Sequence, residues 1–136
     1  MKSYFTKIKP LSGTKYSEIY PKAMALYKNI ASKTKRRPYV RSAYFNKDKI
    51  FLDYFWDHIR QKNTHDRVRR LKYYACALDL IQNSRIAPSS HPNPMRRSEI
   101  LHRFIGIAGD NSLFYVQIKE DKRCNKHFIS VLPVKK

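Results

Sequence analysis

The feature that most constrains this chain is the period-two alternation near its C-terminus. In the run LFYVQIK, Phe114, Val116 and Ile118 alternate with Tyr115, Gln117 and Lys119, which gives one apolar and one polar face. Two further runs, EILHRFIGI and HFISVLP, flank it across the spacers Ala108-Gly109-Asp110-Asn111 and Glu120-Asp121-Lys122-Arg123-Cys124-Asn125. Both spacers have hairpin composition and length, so the stretch from Glu99 to Leu132 reads as an antiparallel sheet with Lys119 pointing away from the core. In the last run Ile129 and Val131 match the apolar face and leave Phe128 and Ser130 beside Lys119. The first run is less regular. His102 shares parity with Ile100 and Phe104, whereas Arg103 shares it with Leu101, Ile105 and Ile107. The second set is the more continuous, which puts His102 on the open face and Arg103 near the sheet margin.

Helical periodicity dominates upstream. Ile19, Ala23, Leu26 or Tyr27, and Ile30 recur at helical spacing between Ser17 and Ala31, with Pro21 tolerable only in the first turn. Asn46 is a good N-cap for a helix starting at Lys47, whose stripe is Ile50, Phe51, Tyr54, Phe55 and Ile59. Thr64 can cap one longer helix running to about Gln82 through Val68, Leu71, Ala75, Leu78 and Ile81. Between the first two lies SKTKRRPYVRS, a basic linker that is either a phosphate-contacting arm or a solvated connection. Pro88, Pro92 and Pro94 allow only a short edge strand before Arg96. The expected fold class is therefore α+β, with N-terminal helices packed on a small C-terminal antiparallel sheet of about four strands. Residues 1–36 form an arm and short helix and 37–136 the main domain, within one globular unit.

Lys and Arg total 29 against 10 Asp and Glu, a formal charge of +19. Charge of that sign steers a chain to polyanions and says nothing about fold. Its 10 Tyr, 7 Phe and one Trp add stacking surfaces for unpaired bases. Nucleic acid is therefore favoured over an anionic membrane, with Arg36, Arg37, Arg41, Arg67, Arg70, Arg96, Arg97, Lys122 and Arg123 as candidate backbone contacts. No apolar run of signal-peptide length follows Met1, and none approaches the roughly 18 residues of a bilayer span. Cys76 and Cys124 do not form a Cys-x-x-Cys or Cys/His cluster. A soluble, cytoplasmic protein without metal, cofactor or membrane partner is expected.

A helical half followed by EILHRFIGI, LFYVQIKED and HFISVLP resembles the Barnase–EndoU–colicin–RelE superfamily of metal-independent ribonucleases, in particular its phage- and mobile-element-linked branch. The resemblance covers about Arg37 to Pro133 and rests on the order and layout of these runs. It implies an endoribonuclease in which the RNA's own 2′-hydroxyl attacks the adjacent phosphate, plausible as a toxin held in check by an acidic antitoxin or immunity protein. By the same resemblance the positions of the strand histidine, neighbouring basic residue and last-strand hydroxyl are His102, Lys119 and Ser130.

These side-chain types suit the chemistry in their own right. A histidine titrating near neutrality can move the proton, Lys119 can meet the charge that develops on the phosphorane, and Ser130 can bond a non-bridging oxygen. A second proton carrier is needed, for which His127, Tyr115 and Arg103 are the reserves. The parity of His127 sets it opposite Ser130 unless the strand bulges. Taken without the resemblance, a histidine between Leu101 and Arg103 is more often a hydrogen-bonded structural residue, and a non-catalytic basic RNA- or DNA-binding protein is the alternative.

Overall fold

The computed structural model describes residues 2–134. Two segments build the helical layer. The first is α1 (Tyr16–Lys33), where the Glu18 carboxylate accepts the Lys15 backbone N–H at 3.0 Å. The second comprises α2 (Asp53–Ile59), α3 (Thr64–Leu71) and α4 (Tyr74–Asn83). Asn63 caps α3, its Oδ1 accepting from the Asp66 N–H at 2.8 Å. The single helix expected over 64–82 is broken at Lys72 and Tyr73. There the Tyr73 hydroxyl bonds Ser112 at 2.8 Å and Tyr74 enters the core fully buried.

The strands are β1 (Tyr4–Phe5), β2 (Tyr39–Arg41), β3 (Lys49–Phe51), β4 (Ser89–Asn93), β5 (Arg96–Ile107), β6 (Leu113–Glu120) and β7 (Lys126–Pro133). They form one seven-stranded sheet in the order β1-β5-β6-β7-β3-β2, with β4 also on β5. The expected small sheet of about four antiparallel strands is thus corrected. The antiparallel run β5-β6-β7 is present, but β1 pairs with β5 and β3 with β7 in parallel. Three of the added strands are two or three residues long, too short to display a period of two in sequence. β3 occupies part of the stretch expected as a helix from Lys47. Asn46 and Lys47 both adopt left-handed backbone, at φ 57° and 69°, so they turn the chain into β3 instead of capping a helix.

The core face of the sheet carries Phe104 on β5, Phe114, Val116 and Ile118 on β6, and Phe128 and Val131 on β7, all buried. α2 follows β3 directly, and Phe55 stacks on Phe128 at 4.8 Å and 5° while Trp56 packs against Tyr20, Tyr27 and Tyr74. Offset aromatic contacts of this kind are each worth about 0.5–1.5 kcal/mol beyond simple burial. One irregularity matters for function. Gln117 pairs with Ser130 but Ile118 pairs with Phe128, so Ile129 is an extra residue in a β-bulge. Phe128 is therefore on the core face, not beside Lys119 as strict alternation predicts. Among the described residues no helix is long and apolar enough to cross a membrane.

Candidate functional site

His102 does not lie on the open face. It pairs with Ile118 and lies two residues from Phe104, which fixes it on the core side of the sheet at 7% exposure. The loop after β2 covers it, with the Phe45 ring edge-on at 4.9 Å. Both ring nitrogens are engaged: Nδ1 with the Ser90 hydroxyl at 2.7 Å and Nε2 with Glu120 Oε1 at 2.9 Å. Both parities of β5 are mostly apolar: the covered one carries His102 and Phe104, while on the outer surface Leu101 and Ile105 are half-exposed and Arg103 between them is exposed, so His102 on the open face is corrected to the core side.

The bulge at Ile129 brings a different histidine to Lys119. Across β6 and β7 these two residues are directly opposed, so His127 and Lys119 share one face. Together with Tyr54, Glu99, Asp121 and Arg96 they line a cavity of about 490 Å³, whose rim adds Lys122 and Arg123. Tyr54, from the first turn of α2, stacks on His127 at 4.2 Å and 8°, and the Lys119 ammonium lies 5.1 Å from the centre of the same ring. Glu99 Oε2 stands 3.8 Å from Lys119 Nζ.

His127 is 2% exposed and held at both nitrogens. Arg37 Nη2 is 3.4 Å from Nδ1 and Asp121 Oδ2 is 3.3 Å from Nε2. Arginine can only donate, so Nδ1 accepts and Nε2 carries the proton that it donates to Asp121. Burial lowers the pKa of His127, and although Asp121 works against this, the charges of Arg37 and Lys119 reinforce it. Arg37 is anchored by a two-pronged bond to Asp53 at 2.8 and 3.0 Å and lies over the Phe51 ring at 4.3 Å. Burial pushes the Asp53 carboxyl up, but the bonds and charge of Arg37 outweigh it and hold it below its ordinary value.

Ser130 shares the face of Gln117 and lines a second cavity, of about 220 Å³, next to the first. Its hydroxyl accepts from Arg70 Nη1 at 2.8 Å. Of the trio His102, Lys119 and Ser130, then, two occupy adjoining cavities on one face and the third is on the other. Arg103 and Tyr115 meet as a cation–π pair at 5.1 Å on the open face, away from His127. Arg96, Lys122 and Arg123 flank the His127 cavity and Arg37 supports it. Arg67 instead ties the α2–α3 connection to the carbonyls of Arg60 and Lys62, and Arg41 bonds the Lys47 carbonyl. Arg36 and Arg97 are exposed and line neither of these two cavities.

Tyr54, Asp53, Asp121 and Glu99 were not legible as site residues, because nothing in local spacing joins an α2 tyrosine to the β6–β7 hairpin. Among the described residues no three His, Cys, Asp or Glu side chains gather as a metal ion would require. Comparison with models of protein families, with curated proteins and with solved structures finds no match to this chain.

Proposed function

We propose that this protein is an endoribonuclease acting by transphosphorylation, with the scissile phosphate held in the cavity between Lys119, His127 and Tyr54. The observation that carries the reading is the direct opposition of Lys119 and His127 in a cavity rimmed by Arg96, Lys122 and Arg123. The resemblance to the Barnase–EndoU–colicin–RelE superfamily supports the same class of reaction, with Lys119 retained and His127 in place of His102.

In this scheme the 2′-oxygen bonds to phosphorus and the bond from phosphorus to the 5′-oxygen breaks, leaving a 2′,3′-cyclic phosphate and a free 5′-hydroxyl. The 2′-hydroxyl proton passes to Nδ1 of neutral His127. The 3.4 Å contact of Nδ1 with Arg37 is long, so exchanging it for a hydroxyl needs a small displacement. Lys119 and the rim cations balance the charge gained by the phosphorane. The departing 5′-oxygen takes a proton from the Tyr54 hydroxyl on the cavity wall, so one proton is taken up and one released. A cytoplasmic toxin neutralised by an acidic protein laid over this basic rim fits the same surface.

The near-complete burial of His127 favours a second reading, in which the groove binds RNA or DNA without cutting it. Labelled RNA incubated with the protein in EDTA separates the two. Cleavage to a cyclic phosphate, lost on 2′-deoxy substitution and in Lys119→Ala and His127→Ala, is expected. RNA bound but intact would replace the first reading with the second.

A further inference from the structure

On the opposite side of the sheet from Lys119 and His127, three side chains form a hydrogen-bonded row that the RNA chemistry does not use. Ser90 on β4 pairs with His102 on β5, and His102 pairs with Ile118 on β6, two residues before Glu120 on the same face. Three neighbouring strands thus set Ser90, His102 and Glu120 side by side. The Ser90 hydroxyl lies 2.7 Å from His102 Nδ1, and Glu120 Oε1 lies 2.9 Å from Nε2. A carboxylate can only accept, so in the neutral ring Nε2 carries the proton and Nδ1 is left to accept the hydroxyl's hydrogen. The row therefore reads nucleophile, base, orienting carboxylate, with both contacts inside the roughly 2.6–3.2 Å reach that activates a hydroxyl.

Burial is graded along this row. The His102 and Glu120 side chains are 9% and 18% exposed and Phe45 stands edge-on to the imidazole, whereas Ser90 is exposed. The base is thus sheltered from water while the nucleophile stays open to a substrate. β4 pairs with β5, and among the described residues no strand lies along its other side. An edge strand leaves alternate backbone N–H groups unpaired, here either that of Ser90 or those of Ser89 and His91. A free donor therefore stands no more than one residue from the hydroxyl, where it can bond the oxygen of a carbonyl under attack. Such a donor suits the single oxyanion of an acyl group better than the several charged oxygens of a phosphate.

We infer that Ser90, His102 and Glu120 form a second reactive centre, independent of the RNA cavity, that hydrolyses small carboxylic esters through an acyl-serine. Ser90 Oγ bonds to the carbonyl carbon and gives its proton to His102 Nδ1, and that proton leaves with the alcohol as the ester's carbon–oxygen bond breaks. Water then attacks the acyl-serine, its proton passing through Nδ1 back to Ser90 and its hydroxyl completing the acid. Glu120 holds the ring's tautomer and balances the imidazolium. The probes are a biotinylated alkyl fluorophosphonate, which phosphonylates an activated serine with loss of fluoride, and p-nitrophenyl acetate for turnover. Peptide mass spectrometry should place the phosphonyl group on Ser90. Glu120→Gln and His102→Ala, assayed well below their Tm, should each slow that labelling by about tenfold or more. Ser89→Ala should label like wild type, since its hydroxyl bonds His91 at 2.9 Å outside the row. In Ser90→Ala, ester turnover should fall by about tenfold or more while RNA cleavage keeps its wild-type rate. Ser90 left unlabelled, labelling unchanged in either Glu120→Gln or His102→Ala, ester turnover unchanged in Ser90→Ala, or RNA cleavage lost along with it would each overturn the inference.

Discussion

Replacing His102 by alanine distinguishes a histidine that holds the fold from one that performs chemistry. The ring is 7% exposed, wedged beneath Phe45, and bonded at 2.7 Å to Ser90 and 2.9 Å to Glu120. A neutral hydrogen bond contributes about 1 kcal/mol and one to a charged partner about 1.5–3. The Ser90 hydroxyl is exposed and Glu120 keeps some access to water, so both can be partly rehydrated and the low end applies. Adding the lost packing of a buried ring brings the expected destabilisation to about 3 kcal/mol. For a chain of this length each kcal/mol lowers Tm by about 3–5 °C, so a fall of roughly 10–15 °C is expected. Urea denaturation followed by far-ultraviolet circular dichroism should show a lower midpoint at unchanged slope. Ribonuclease activity measured well below the new Tm should stay within about threefold of wild type. A variant of near-wild-type stability whose cleavage falls a hundredfold would refute the structural role and return His102 to the chemistry.

Three other outcomes are expected. Lys119→Met should weaken RNA binding across all sequences and reduce the steepness of log affinity against log salt by about one, read from titrations at several salt concentrations. The folded protein holds the His127 pKa below 6.5, so between that lowered value and 6.5 the unfolded chain binds more protons. Stability from this residue is then fully present above pH 6.5 and lost as pH falls through the window, and His127→Gln should flatten that part of a stability–pH curve. Cys76 is buried with its thiol pushed up to about 12, whereas Cys124 is exposed in the β6–β7 hairpin, so a thiol reagent at pH 8 should label Cys124 alone until denaturant is added.

What could be read ahead of the structure follows the length of the elements. β6 and its partners announce themselves because eight or more alternating residues outvote local exceptions, and α1 does so because its apolar positions recur over several turns. β1, β2 and β3 exist only through pairing with β5 and β7, and pairing between distant segments leaves no local period. Lys119 was legible on the open face because Phe114, Val116 and Ile118 leave it nowhere else. His102 was not, since both parities of β5 are mostly apolar and the loop holding Phe45 decides which is covered. His127 was recoverable only on condition of a bulge, which hydrophobic pattern alone does not disclose. The gathering of Tyr54, Arg37 and Asp121 about it is tertiary throughout.

Because side chains alternate with a period of two, β7 contains two frames joined at Ile129, one placing His127 outward and the other placing Ser130 outward. Deleting that single residue would merge them into one regular frame, in which His127 and Ser130, then two positions apart, still face outward together. Keeping Ile129 but closing the bulge into regular pairing would instead pass the outward positions before Ser130 to Phe128 and Lys126, and His127 would turn toward the core. The bulge, one residue long, thus determines which side chain faces Lys119. A homologue with the same spacing and no bulge would have to draw its proton carrier from elsewhere in the chain, whereas one with one residue fewer between its histidine and its serine would keep both on this face in a regular strand.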